Sequence, residues 1–473
     1  MRKKLIVFGT IFLFIVLYIC LVCLPYKRQG RVTAETEEAF ALTDFYSSQK
    51  SGEKAKILFD NEEALEERIR LISNASQRIV LSTFDFRADN SGKQMLAALY
   101  DAAERGVQVQ ILVDGFSYFQ SMRGKACFRA LGCLENVTVK VYNPVNLLKP
   151  AKLMARLHDK YLIVDDTAYI LGGRNTYDYF LGDDTDYRNY DWDILVFSGD
   201  HPDEDSYGRL YEYFQSVWEL KECRTVMDTS SLLPFGKKRE KEAARELKEL
   251  YRKMQTECSE WFEQEDENAG TVEINKITLL CNPTQASVKE PVLFYMMTEL
   301  MIKAGEETTF HTPYILCNNY MLERLSNVCA AAENVSMMTN SVANNGNPFG
   351  AVDYETHKTE ILRTGVEILE YDQGVSYHGK CFTIGDRLSG VGSFNWDMRS
   401  AYIDTELMLV VDSPELNRVM KAYMGSYEAD ALKVKDEEAY ILREGQIPQS
   451  ISRKRKNRIK MLKPLDGLLR FLF

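Results

Sequence analysis

Two segments of this chain repeat one another without gaps, and that repeat restricts the possible folds more than any other feature. The first reads His158, Asp159, Lys160, then Asp165, Gly172, Gly173 and Asn175. The second reads His378, Gly379, Lys380, then Gly392, Ser393 and Asn395. The His, Lys, Gly and Asn positions recur at one constant offset. A single His-x-Lys arises easily by chance, whereas two copies with the same downstream Gly-Gly/Ser-x-Asn do not. Repetition of this kind implies two copies of one structural unit.

The flanking patterns agree. Asp60 is placed to cap a helix running to about Ile72, and Arg78 to Phe86 is a β-branched and aromatic run of strand character. Apolar periodicity through Met95, Leu96, Leu99 and Ala102 predicts a helix ending at Gly106. Val107 to Val113 and Val137 to Tyr142 read as strands. The order returns later: helix over Pro291 to Ala304, strand over Thr308 to Leu316, helix over Met321 to Ala332, then strands at Val335 to Met338 and Val366 to Tyr371. Alternating elements of these lengths predict an α/β fold with helices packed on a largely buried sheet.

The spacing of the motif has a chemical reading. His and Lys two apart in an extended segment project from one face, so both can reach one phosphate. The small residues Gly172, Gly173, Gly392 and Ser393 permit close backbone approach, and Asn175 and Asn395 offer amide donors just beyond. Bringing the halves together assembles two imidazoles, two ammonium groups and two amides. That set suits phosphoryl transfer: one imidazole attacks phosphorus while the other, protonated, donates to the leaving oxygen. The lysines would stabilise charge on the non-bridging oxygens and Asn175, Asn395, Ser393 and Gly173 would bind the phosphate, so no metal or other cofactor is expected. His201, His311 and His357 lack any partner pattern and are expected to be structural.

Around this core the chain divides as follows. Arg2, Lys3 and Lys4 precede an uncharged apolar run from Leu5 to Leu24, ended by Pro25. That is long enough to cross a bilayer as a helix, and no small-x-small cleavage pattern follows, so residues 1–26 read as an uncleaved membrane anchor. Lys27, Arg28 and Arg31 nearly balance the N-terminal cations, which leaves the side of the membrane open. Residues 27–56 are polar and read as a tether, and 57–222 as the first half. Residues 223–276, dense in Lys, Arg and Glu, read as a charged helical linker. The second half spans 277–440. In 441–473, the basic run Arg453 to Lys463 followed by apolar Leu465 to Phe473 suits either an interfacial helix on anionic lipid or a disordered tail. Cys20 and Cys23 lie inside the apolar N-terminal run, and the other eight of the ten cysteines form no CxxC pair, so no zinc site is indicated. Cys127 and Cys133 are close enough to bridge, or are two thiols flanking a helix. The formal charge of −11 argues against a nucleic-acid partner.

Both motif segments resemble the paired HxKxxxxDxxxxxxGG/SxN signatures of the phospholipase D superfamily, over about Ile57 to about Ala429. The stretches Ala102 to Val109, Gly172 to Phe180 and Gly392 to Ser400 are similar to its bacterial cardiolipin synthase-type members. The resemblance implies two pseudo-symmetric halves with the active site at their seam. It also implies a phosphohistidine intermediate, with His158 as nucleophile and His378 as acid/base. In that family an acidic residue after each motif holds the opposing His; Asp193 and Glu406 fill those places. The motif counts Asp165 with the catalytic residues His158, Lys160, His378 and Lys380, and the second copy departs there at Gly385, with Asp386 one place on. If that Asp only braces local structure, the site survives the change.

Three functions fit these residues. One is a phosphatidyltransferase of cardiolipin synthase type, moving a phosphatidyl group onto a phosphatidylglycerol hydroxyl. Another is a hydrolase giving phosphatidic acid, and the third a low-turnover lipid-binding or scaffold protein. The anchor and the acidic charge favour phospholipid substrates, and a monomer carries both motifs. Arg174 and Arg399 sit beside the motifs, where they either touch lipid phosphate or form plain salt bridges. The apolar, basic stretch Val145 to Arg156 is a candidate lipid entrance, or an ordinary surface loop.

Overall fold

The computed structural model describes residues 2–182, 185, 187–227, 234–264, 267–437 and 439–473. Its first half carries β1 (Lys54–Leu58), β2 (Arg78–Thr83), β3 (Gln108–Asp114), β4 (Val137–Tyr142), β5 (Tyr161–Val164), β6 (Ala168–Gly172), β7 (Asn189–Tyr190), β8 (Asp193–Phe197), β9 (Cys223–Val226) and β10 (Val272–Glu273). The second half carries β11 (Lys276–Cys281), β12 (Thr308–His311), β13 (Ile315–Leu316), β14 (Val335–Asn340), β15 (Glu367–Tyr371), β16 (Ser376–Tyr377), β17 (Cys381–Ile384), β18 (Leu388–Gly392), β19 (Trp396–Asp397), β20 (Leu407–Asp412), β21 (Leu432–Val434) and β22 (Tyr440–Ile441).

The two large sheets share one order over eight strands, with β10 added at one edge of the first and β22 at the opposite edge of the second. One runs β10-β1-β8-β6-β5-β2-β3-β4-β9, the other β11-β20-β18-β17-β12-β14-β15-β21-β22. In each, three central strands are parallel (β2, β3, β4 and β12, β14, β15), and the motif hairpin packs antiparallel beside them. Runs such as Tyr161–Val164, Ala168–Gly172 and Leu407–Asp412 are buried along their whole length. They are apolar on both faces because helices cover one face and the other half of the molecule covers the second. One hydrophobic cluster accordingly includes Tyr142, Trp192 and Val196 from the first half with Phe382, Leu409 and Val411 from the second.

Three segments differ from their sequence reading. Residues 27–56 are packed down along the body. Tyr26 and Phe45 are buried, Tyr26 Oη donates to Ala151 O at 2.8 Å, Gln29 donates to Phe471 O, and strand pairing already begins at Lys54. The charged linker is part of the first half: β9 pairs with β4 and β10 with β1. The helix between them, Pro234–Glu257, buries Ala243, Leu247, Tyr251 and Met254. These four fall on one stripe of a helix whose other faces are charged. Ion pairs Arg129–Glu240 at 2.7 Å and Lys248–Glu104 at 2.5 Å fasten it to the neighbouring helices.

The C-terminal segment is a docked helix, Arg453–Leu469, capped by Ser452. It lies on the helix Pro348–Leu362, where Arg470 pairs with Asp353 at 2.8 Å and His357 meets Asp466 at 3.5 Å. Phe473 stacks on Phe349. Met461, Leu465 and Leu468 remain exposed. Cys127 and Cys133 are free and flank the helix Ala126–Gly132. The N-terminal helix, Arg2–Cys23, is long and apolar enough to cross a membrane, and none of its most apolar stretch is covered by the body.

Candidate active site

Each motif histidine sits just before the first strand of a hairpin, β5–β6 or β17–β18, and the small residues sit just after the second. Ladder bonds close the ends: Gly172 N donates to Lys160 O and Gly392 N to Lys380 O. The two hairpin ends meet across the seam. His158 and His378 line one cavity of about 510 Å³, together with Asn175, Asn395, Arg156 and Arg399, under a rim rich in Tyr and Phe.

The halves exchange supports. His158 Nδ1 lies 2.8 Å from Glu406 Oε1, and His158 N donates to Thr405 Oγ1. Reciprocally, His378 Nδ1 lies 2.5 Å from Asp191 Oδ2, and His378 N donates to Tyr190 O. Short parallel pairings fix both crossings: Leu157 with Thr405, and Tyr377 with Tyr190. With Nδ1 engaged by a carboxylate, each imidazole presents Nε2 for chemistry.

The carboxylate holding His378 is therefore Asp191, not Asp193. Asp193 faces the opposite side of its strand, where it pairs with Arg68 at 2.8 Å and Arg174 at 3.2 Å. A break in strand alternation is the reason: residues two apart share a face only in regular β structure, and the chain is irregular between β7, which ends at Tyr190, and β8, which begins at Asp193. A signal existed in the sequence. Glu406 immediately precedes the apolar run Leu407–Val411, and Asp191 holds the same place before Trp192–Phe197; Gly173 N bonds Trp192 O as Ser393 N bonds Leu407 O. Arg174 is consumed by Asp193 and by the carbonyls of Leu58 and Phe59, so it braces β1 and does not face the cavity.

Four other candidates take different roles from those expected. Asp165 lies at the far end of β5 from His158, in the left-handed turn at φ 51°, where its carboxylate accepts from the backbone N–H of Ser76, Gln77 and Arg78. It is a brace, not a catalytic group. Gly385 occupies the equivalent turn, also at φ 51°, and the Glu306 side chain fills the space a Cβ would need. Gly173 does not bind phosphate by itself: a Cβ there would lie 2.1 Å from Asp191 Oδ1, so its smallness admits the carboxylate. Ser393, its counterpart, donates to Glu406 Oε2 at 2.5 Å, and Ser400 donates to Oε1.

Asn175 and Asn395 do face the cavity. Asn395 Nδ2 reaches Tyr314 Oη at 3.3 Å while its buried Oδ1 has no partner among the described residues; Asn175 Oδ1 accepts from Asp85 N. Lys160 and Lys380 lie beneath the imidazoles, each bonded to the carbonyl of its own His. Arg399 lines the cavity but is tied to Asp404 and to the carbonyls of Met154 and Leu472. Sequence reasoning did not single out Asp191, despite its place equivalent to Glu406, nor Arg156 and Tyr314, which carry no repeat signal.

Burial sets the electrostatics. It depresses His158 well below the usual imidazole value, with Lys160 adding to the effect, and lowers His378 to about 4 with Lys380. Lys160 falls to about 7, chiefly by burial. Burial raises Glu406 to about 8. At Asp191 burial acts in the same direction, but Lys380 and His378 together outweigh it and hold the carboxyl at about 2.

Residues 68–218 and 297–427 match the family described as cardiolipin synthase, PLD-like domain. The chain belongs to the phospholipase D-like family. Cardiolipin synthase C of Escherichia coli K12 is 25% identical over 394 residues, covering 76% of this chain and 81% of its own. An uncharacterized protein of Helicobacter pylori 26695 is 26% identical over 396 residues, 76% of each chain. The fold is similar to that of the crystal structure of phosphatidylserine synthase from Haemophilus influenzae, with a TM-score of 0.64, 15% identity, and coverage of 93% of this chain and 99% of that one. This phospholipase D-like chain is an enzyme of the phosphodiesterase and phosphatidyltransferase class.

Proposed function

We propose that this chain is a membrane-bound phosphatidyltransferase of cardiolipin synthase type that works through a covalent phosphohistidine. The observation carrying the proposal is the exchange of supports at the seam, which aims two carboxylate-held imidazoles into one cavity. His158 Nε2 attacks the phosphorus of a phospholipid, and the bond to the leaving alcohol breaks as His378 delivers a proton to that oxygen. His378 then takes the proton of an acceptor hydroxyl, whose oxygen attacks phosphorus and releases His158. The Asn175 and Asn395 amides and the buried lysine charges stabilise the phosphorane oxygens. Each motif comes from the same chain, so one molecule suffices. The uncovered N-terminal helix supports a membrane anchor, and the family's named relatives support a phospholipid substrate.

The test supplies the full chain in vesicles of phosphatidylglycerol and phosphatidylethanolamine and follows products by mass spectrometry. Cardiolipin, absent with His158→Ala and with His378→Ala, is the expected result. Phosphatidic acid in its place would make the enzyme a hydrolase with water as acceptor, and unchanged lipid would overturn the proposal.

A further inference from the structure

A second cavity, of about 320 Å³, opens beside the segment joining β4 to the first motif, and shares no lining residue with the active site. Its wall carries Lys149, Lys152, Lys221 and Arg224 around the single carboxylate of Glu222. Lys152 pairs with Glu222 at 2.6 Å. Among the described residues, Lys149, Lys221 and Arg224 have no ion-pair partner, and all three are exposed. On a chain of net charge −11 this is a concentrated positive spot with one neutralising group.

Its neighbours are apolar. Leu147 and Leu148 are 67% and 91% exposed, on a tight turn in which Asn146 Oδ1 accepts from Leu148 N. The turn is fixed against the N-terminal helix: Tyr18 Oη donates to Leu147 O at 2.8 Å. Tyr18 lies five residues before the helix end at Cys23, which is roughly 7 Å of helix rise. When that helix crosses a bilayer, the contact at Tyr18 holds the leucine turn within the depth of the span Val7–Lys27, with the cations of the adjoining cavity beside it. The stretch Val145 to Arg156 thus contributes only Arg156 to the active-site cavity. Its tip has another use.

We infer that this second cavity binds the headgroup phosphate of an anionic phospholipid within the bilayer, with Leu147 and Leu148 inserted beside the N-terminal helix. The inference rests on the membrane-anchored reading above. Cations at a membrane surface contribute additively to attraction for anionic lipid, and the flanking leucines add buried apolar area. A soluble anion would use the charges and leave the leucines without purpose, so the occupant is a lipid.

The experiment uses full-length protein with His158→Ala, which prevents turnover, and Leu148→Trp as a local reporter, in nanodiscs of phosphatidylcholine. Quenching is compared for brominated phosphatidylglycerol and brominated phosphatidylcholine at equal mole fraction, after subtracting the parent without the added Trp. Quenching should be several-fold stronger with the anionic lipid, and this preference should vanish in Lys149→Gln/Lys221→Gln/Arg224→Gln. Equal quenching by both lipids would overturn the headgroup site, and absence of quenching would overturn insertion of the tip as well. Retention of the chain in vesicles after alkaline washing is scored separately. Release there would defeat the membrane-anchored reading itself and the inference with it.

Discussion

At the scale of single residues, the two acids of Asp191-Trp192-Asp193 have opposite work, and this is measurable. Asp191→Asn removes the charge that orients His378, and a general acid/base of this kind contributes about 10²- to 10⁴-fold. We expect a loss of that size in kcat/KM. Asp193→Asn leaves Arg68 and Arg174 buried without their carboxylate, a defect of about 3 kcal/mol or more, with most activity retained in the folded fraction. Denaturant midpoints and rates measured side by side decide it; the reverse pattern would restore Asp193 as the partner of His378. The Glu406–His158 pair makes a pH prediction. Folding raises Glu406 from 4.5 to about 8, so between those values the unfolded chain is ionised where the folded one keeps its proton, and stability falls as pH rises. Glu406→Gln should flatten that part of the stability profile. Nucleophilic His158 needs Glu406 ionised while the first step needs His378, held at about 4, protonated; the two requirements offset between those values, so kcat/KM should stay level there, and Glu406→Gln, which removes the rising one, should make it fall with pH.

At the scale of elements, the repeat made both hairpins and the central strands legible, because a buried strand writes a continuous apolar run. What stayed hidden was whatever depends on partners distant in sequence. The helix Pro234–Glu257 buries an apolar stripe of Ala243, Leu247, Tyr251 and Met254, and its surrounding charges masked that pattern. Leu247→Ala should therefore cost about 2–5 kcal/mol, as in a core; a change within 0.5 kcal/mol would return the segment to linker status. Asp165 was recognised as part of the motif, but only its three backbone donors reveal the brace. Its loss in Asp165→Ala should lower stability by roughly 1–3 kcal/mol and leave the chemistry of folded enzyme intact. The missed Asp191 belongs to the same class, since its meaning comes from His378 in the other half.

At the scale of the whole molecule, duplication has produced something other than two domains in series. Each half holds the histidine of its partner, and the sheets close on one hydrophobic cluster that draws on both. Neither half can bury its inner face alone, which argues for a single folding unit despite the length of the chain. Tryptophans report on this directly: Trp192 is buried in the first half and Trp396 in the second. In guanidinium, with the full chain in detergent micelles, Trp192→Phe and Trp396→Phe should unfold at midpoints that coincide between fluorescence and far-ultraviolet circular dichroism, as one transition. Leu409→Ala, in the shared cluster, should move that whole transition together. Two separated transitions, with the change at Leu409 shifting only the one reported by Trp396, would mean that the halves fold independently and that the seam is an interface formed late, with the paired imidazoles assembled only on docking.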